Sequence, residues 1–298
     1  MSGPPARVRA RGFSLTDVTL VTMALIWGVN IPVVKMGTQM LAPLAYNGVR
    51  VALAAVSLLV IGALGGRTWP TRSRILTLLG LGVLGNGLYQ VFFIEGIART
   101  RAGSAALVLA ATPAFVALVG RMRGIERISS RGMFGIALSI AGIGLVVYGG
   151  AARAEGSATL LGNLLVLAGT MCWAVFTVLL KPHTHEVDGV QLTAITLTGG
   201  AIPLLVVAMP SIAATRWTTV TAGAWAAITF SGLGALVIAY LFYNRGVRTI
   251  GPTRTAMYGN LQPIIALLVA WITLGETPTV WQGLGAGGIM SGLLMTRM

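Results

Sequence analysis

The sequence predicts an all-α integral membrane protein whose ten transmembrane helices form two inverted five-helix repeats. Three observations carry this: a composition suited to lipid, ten apolar stretches of spanning length, and one local layout written twice, as "ATPAFVALVGRMRGIE" at 111–126 and "LQPIIALLVAWITLGE" at 261–276. Hydrophobic residues make up 55% of the chain and charged residues 9%, against about 45–50% and about 25% in an ordinary soluble domain. Continuous apolarity, rather than alternation every second residue, selects helices over a closed barrel. No charge run or Ser/Pro-rich linker divides the chain, so it reads as one membrane unit.

A bilayer core takes about 20 apolar residues per helix, and the stretches fall near 17–37, 43–65, 75–98, 103–122, 131–150, 159–180, 188–209, 221–244, 253–274 and 279–296. The first follows the basic "RVRARGF". It resembles a signal peptide but runs a full span without a small-x-small cleavage site, so it is kept as a helix. The second carries Arg50 about two turns in, and charges at such depth are costly and often functional. The third places Gly82, Asn86, Tyr89 and Phe93 on one stripe, with Glu95 near its end. Pro113 marks the fourth, and Gly135 and Gly142 the fifth.

The sixth helix holds Trp173, Phe176 and the single cysteine, Cys172, which excludes a disulfide or a cysteine-built metal site within one chain. His183, His185, Glu186 and Asp188 between the sixth and seventh read as a short polar loop rather than a metal site. The eighth contributes Tyr240 and Tyr243, with Arg245 beyond them. The ninth contributes Tyr258, Gln262 and Pro263. Gly288 and Gly292 of the tenth form a G-x-x-x-G that lets helices pack closely, joining either the two halves or two subunits.

Loop charge sets the orientation, because cytoplasmic loops hold the excess of Lys and Arg. With the N-terminus inside, fifteen basic residues are cytoplasmic: Arg7, Arg9, Arg11, Arg67, Arg72, Arg74, Arg121, Arg123, Arg127, Arg131, Lys181, Arg245, Arg248, Arg254 and Arg297. Five lie outside: Lys35, Arg99, Arg101, Arg153 and Arg216. Both termini are therefore expected in the cytoplasm.

The repeat extends well beyond the opening layout. Pro263 and Glu276 stand 150 residues after Pro113 and Glu126, "EGIART" at 95 resembles "RGVRTI" at 245, and Gly135 and Gly142 return as Gly285 and Gly292. "IWGVNIPVVK" at 26 resembles "CWAVFTVLLK" at 172, pairing Trp27 with Trp173 and Lys35 with Lys181. The halves, 1–150 and 151–298, hold five helices each. Five is odd, so the second enters the membrane inverted: the loop after Pro113 keeps its arginines, whereas the loop after Pro263, facing outward, has none. Such repeats place a site near the midplane between the halves and alternate its access. Pro32, Pro113 and Pro263 are the expected hinge or kink positions, since a helical proline removes a backbone hydrogen bond. Glu126 and Glu276 are expected to accept hydrogen bonds near the starts of the fifth and tenth helices.

The chain resembles the drug/metabolite transporter superfamily, and within it the exporters built from two EamA-type domains. The resemblance lies in "WGVN…VVK", "ATPAFVAL…GIERISSRGMFGIALSIAGI" and "LQPIIALLVAWITLGETPTVWQGLGAGGIMSG", and covers essentially the whole chain. Gly275 and Glu276 match the usual Gly-Glu, whereas Ile125 departs from it before Glu126. The chain also resembles the bacterial YddG branch, which implies export of aromatic amino acids and residence in the bacterial inner membrane.

A transport pocket needs polar and aromatic residues inside spans, and those expected to bind substrate are Trp27, Asn30, Tyr89, Phe93, Trp173, Tyr240, Tyr243, Tyr258 and Gln262. The expected cargo is a small neutral metabolite, foremost an aromatic or other neutral amino acid. Hydrophobic cations or another small metabolite are the alternative, disfavoured because Glu95, near a helix end, is the only acidic candidate. Uniport and proton antiport both fit so few titratable groups. No enzyme is expected: "GIMSG" at 288–292 faintly resembles an intramembrane serine protease, but no histidine lies in a span to act as base. A channel lacks its ring of charges or carbonyl filter. No catalytic residue, metal or cofactor is implied. The partners are the small-molecule substrate and the lipid bilayer; scattered arginines exclude nucleic acid despite the net charge of +14.

Overall fold

The computed structural model describes residues 14–66, 68–125, 129–152 and 156–296. Glu126 and the basic residues Arg7, Arg9, Arg11, Arg67, Arg127, Arg153 and Arg297 lie outside them.

The described residues form helices and connecting turns. In order these are α1 (Leu15–Met40), α2 (Pro43–Leu64), α3 (Arg72–Arg99), α4 (Ala102–Met122), α5 (Ser130–Ala152), α6 (Gly156–Leu180), α7 (Gly189–Ala214), α8 (Ala222–Ile250), α9 (Pro252–Leu274) and α10 (Val280–Thr296). Among the described residues, nine helices, lying within α1 to α9 and the turn that follows α6, are long and apolar enough to cross a membrane. α10 has 17 described residues and runs along α5.

Helix ends follow local chemistry. Ser14 and Asp17 form a capping box at the start of α1, satisfying backbone N–H groups that have no partner within the helix. Asp188 caps α7 through the Val190 N–H and Thr221 caps α8 through the Ala224 N–H. α8 runs to Ile250, past the expected end near 244, and stops at Gly251 and Pro252.

Two irregularities recur 150 residues apart. α3 winds as a π-helix over Val83–Leu88, and α8 does so over Phe230–Ile238. α4 breaks at Ala110 and Ala111 before resuming at Thr112, and α9 passes through a 3-10 turn, Gly259–Leu261, before resuming at Gln262. Pro113 and Pro263 each occupy the first turn after the break, where a missing N–H costs least. Pro32, by contrast, sits inside a helix that continues unbroken to Met40.

The packing partners come in matched sets: α1 with α8 and α3 with α6, α1 with α9 and α4 with α6, α2 with α8 and α3 with α7. α2 packs on α7, and α5 on α10. At its glycines the α5–α10 seam has no room for a side chain, since a Cβ built on Gly292 would stand 2.2 Å from the Gly135 carbonyl oxygen and one on Gly142 would stand 2.7 Å from that of Gly285. Within one chain, therefore, Gly292 and Gly288 of the G-x-x-x-G join α10 to α5.

Glu276 caps a different helix from the one expected. Gly275 adopts φ +67°, a left-handed conformation open to glycine at little cost, and the chain turns there. The Glu276 carboxylate accepts the N–H groups of Ala102 (3.0 Å) and Gly103 (3.1 Å) at the start of α4, not of α10. Arg101 stands 3.9 Å away.

Candidate functional site

Six rings from four helices meet at the centre of the bundle. Trp173 on α6 is the hub, with ring centroids 6.0 Å from Trp27, 5.1 Å from Tyr89, 5.2 Å from Tyr240 and 5.3 Å from Tyr243. Phe93 adjoins Tyr89 at 5.4 Å. Several pairs are edge-on or tilted, the arrangements that ring quadrupoles favour. Polar contacts hold the rings in place: the Trp27 indole N–H donates to the Ala235 carbonyl at 3.0 Å, inside the π stretch of α8, and the Tyr243 and Thr177 hydroxyls lie 3.0 Å apart.

These rings line a cavity of about 60 Å³ together with Asn30, Arg50, Gln90, Thr112 and Gln262. That is room for a few water molecules. Eight of the nine expected substrate-binding residues border it: Trp27, Asn30, Tyr89, Phe93, Trp173, Tyr240, Tyr243 and Gln262. Tyr258 does not. Its hydroxyl donates to the Asp17 carboxylate, tying α9 to the first turn of α1, and it borders a wider cleft of about 1000 Å³ with Arg254, Leu261 and Met290. The 3-10 turn Gly259–Leu261 lies between Tyr258 and Gln262, and the two residues border different spaces despite their four-residue spacing.

Arg50, Asn47 and Gln90 form a buried polar group at the cavity wall. Arg50 Nε donates to Asn47 Oδ1 at 2.8 Å, and Nη2 donates to Gln90 Oε1 at 2.6 Å. Asn47 Nδ2 in turn donates to the Gln90 carbonyl at 3.0 Å, and Gln90 Nε2 to the Tyr240 hydroxyl at 3.2 Å. A second chain runs from Tyr46 through Ser231 (2.8 Å) to Asn30 Oδ1 (2.6 Å). The sequence pointed to Arg50 but missed its partners. Their one signal was the i,i+3 spacing of Asn47 and Arg50 on a single helix face.

The polar loop after α6 is engaged locally: His183 lies 3.4 Å from Glu186, His185 lies 3.2 Å from Lys181 Nζ, and Glu186 pairs with Arg74 at 3.3 Å. Among the described residues no group of three or more His, Cys, Asp or Glu side chains could hold a metal ion.

Comparison with known proteins bears on what such a cavity serves. The sequence profile of the EamA-like transporter family matches residues 14–148 and again residues 160–298. The chain belongs to the EamA-like transporter family. Relatives of this EamA-like protein include the "Uncharacterized transporter YyaM" of Bacillus subtilis, 24% identical, with the alignment covering 93% of this chain and 92% of the relative. An "Uncharacterized transporter" of Archaeoglobus fulgidus is 28% identical over 95% and 97% of the two chains. The "Uncharacterized inner membrane transporter YedA" of Escherichia coli K12 is 27% identical over 94% and 89%. One solved crystal structure matches 95% of this chain and 97% of its own with a TM-score of 0.68 at 17% identity, a likeness of fold. The protein is thus a multi-pass membrane transporter of the EamA family, in the drug/metabolite transporter superfamily.

Proposed function

We propose that this EamA-like transporter exports small neutral metabolites, chiefly aromatic and other neutral amino acids, by alternating access between two inverted five-helix repeats. The observation that carries the reading is the cluster of rings around Trp173, bordering a cavity that also offers Asn30 and Gln262. Ring-to-ring contacts gain about 0.5–1.5 kcal/mol per pair beyond area burial, so an aromatic side chain entering the cluster is favoured over an aliphatic one. The amide side chains offer hydrogen bonds to a zwitterion.

The matched packing sets, the paired π stretches and the paired helix breaks support two repeats of five helices spanning the membrane ten times, with boundaries near 1–150 and 151–298. The loop charges support an orientation with both termini cytoplasmic, and residence in a bacterial inner membrane rests on the family resemblance and accords with YedA's name as an inner membrane transporter. Pro113 and Pro263, each at a break bordering the cavity, are placed to act as paired hinges. Export as the direction, and the YddG-like preference for aromatic cargo, rest on resemblance.

The test is counterflow in proteoliposomes preloaded with unlabelled amino acid. Labelled phenylalanine is expected to accumulate saturably, and threonine less well. Absence of counterflow for every amino acid would remove this reading, and linear, unsaturable flux would mark a channel instead.

A further inference from the structure

The cavity wall carries one full charge, and among the described residues no carboxylate lies against it. Arg50 is 1% exposed. Its Nε and Nη2 donate to the neutral oxygens of Asn47 and Gln90, while Nη1 is buried with no hydrogen-bond partner. Phe93 and Tyr46 present ring faces 5.5 and 5.8 Å from its Cζ. No carboxylate borders the cavity. The acidic side chains among the described residues are engaged elsewhere: Asp17 by Tyr258, Glu95 by Arg99, Glu186 by Arg74, Asp188 as the α7 cap and Glu276 at the start of α4. A buried guanidinium without a counter-charge costs stability, and a charge kept at membrane depth is by default a functional one.

The matched halves isolate this charge further. A Cβ built on Gly232 would meet the Arg50 carbonyl at 3.1 Å, and one built on Gly82, 150 residues earlier, would meet the Thr196 carbonyl at 2.0 Å. Arg50 on α2 and Thr196 on α7 therefore stand in equivalent places, and only one is charged. A symmetric structural need would have placed the same group twice.

We propose that Arg50 anchors a carboxylate of the transported molecule, so that the cargo is an organic acid or zwitterion with an apolar, foremost aromatic, body. The carboxylate meets Nη1 while Asn47 and Gln90 hold the other nitrogens in plane, and the body enters the rings around Trp173. A bound carboxylate supplies the missing counter-charge, and a cargo bearing only a positive charge is repelled. This rests on the cavity being the transport site, and it replaces a purely neutral site with one that reads charge at one end.

The experiment measures binding to the full-length protein in nanodiscs by tryptophan fluorescence, with L-phenylalanine, 3-phenylpropionate, phenethylamine, L-phenylalaninamide and hexanoate as probes. Phenylalanine and 3-phenylpropionate are expected to bind about tenfold or more tightly than phenethylamine and the amide. In Arg50→Gln that ratio falls to about one, and Arg50→Lys restores part of it. Should Arg50→Gln fail to fold, the wild-type panel decides alone: equal binding of phenethylamine and 3-phenylpropionate overturns the anchor while leaving the aromatic pocket standing. Hexanoate binding as tightly as 3-phenylpropionate keeps the anchor and removes the aromatic preference. Failure of every carboxylate probe to bind overturns both.

Discussion

Lys35 and Lys181 perform the same task in the two halves: Lys35 Nζ donates to the carbonyls of Ile97 (3.1 Å) and Ala98 (3.0 Å) near the end of α3, and Lys181 Nζ to those of Val247 (2.7 Å) and Arg248 (3.1 Å) near the end of α8. The last carbonyls of a helix have no partner within it and favour a cation. Replacing either lysine by methionine should cost about 1–2 kcal/mol, read as a lower thermal midpoint in detergent, with arginine recovering more than methionine. Unchanged midpoints in both methionine variants would mean that these contacts hold nothing.

Trp173 offers the most direct probe of the aromatic cluster. Truncating it to alanine removes contacts with Trp27, Tyr89, Phe176, Tyr240 and Tyr243 at once. Phenylalanine counterflow should fall by roughly tenfold or more, from the loss of several ring contacts at about 0.5–1.5 kcal/mol each, and threonine counterflow should fall less. Trp173→Phe should keep most of the difference. Equal losses for both amino acids would point to a packing role.

Tyr258 and Asp17 join α9 to α1 away from the cavity wall. Tyr258→Phe and Asp17→Asn should therefore alter the transport rate while leaving phenylalanine affinity within about twofold, and the double variant should resemble either single one, as coupled partners do. A large loss of affinity in Tyr258→Phe would place its hydroxyl at the substrate after all.

The glycine seam between α5 and α10 is tested by position. Gly292→Val should abolish monodisperse protein, since even a Cβ there meets the Gly135 carbonyl oxygen at 2.2 Å and Ser139 Oγ at 2.4 Å. Gly287→Ala, four residues before Ser291 and with nothing within 4 Å, should express as wild type.

Orientation is checked with single cysteines in a Cys172→Ala background. Ser73→Cys, exposed just inside the start of α3, should label from the cytoplasm, and Thr218→Cys, exposed between α7 and α8, from outside. Labelling of both from one face would defeat the inverted arrangement.

Much of this architecture could be read in the chain because a lipid-facing helix announces itself by length and continuous apolarity, as at Gly189–Ala214. The aromatic stripe on α3 and its partners on α8 were legible for the same reason: Tyr89, Phe93, Tyr240 and Tyr243 keep helical spacing within a single helical segment. Where the helix changes its winding, spacing misleads. Tyr258 and Gln262 are four apart yet separated by a 3-10 turn, so they border different spaces. The carboxylate of Glu276 went to α4 rather than α10 because Gly275 turns the chain, a choice set by tertiary contact. The role of Gln90 could not be read, since it exists only against Arg50 from another helix.

The π stretches at Val83–Leu88 and Phe230–Ile238 act as angular spacers. Each residue of an α-helix advances the side chains by about 100°, so winding the chain more loosely before Tyr89 and before Tyr240 sets the compass bearing at which every later ring on those helices points. Forcing either stretch into α winding at the same length would leave composition and hydropathy untouched, yet turn Phe93 or Tyr243 away from its present bearing. Aim, as much as identity, is what these segments encode.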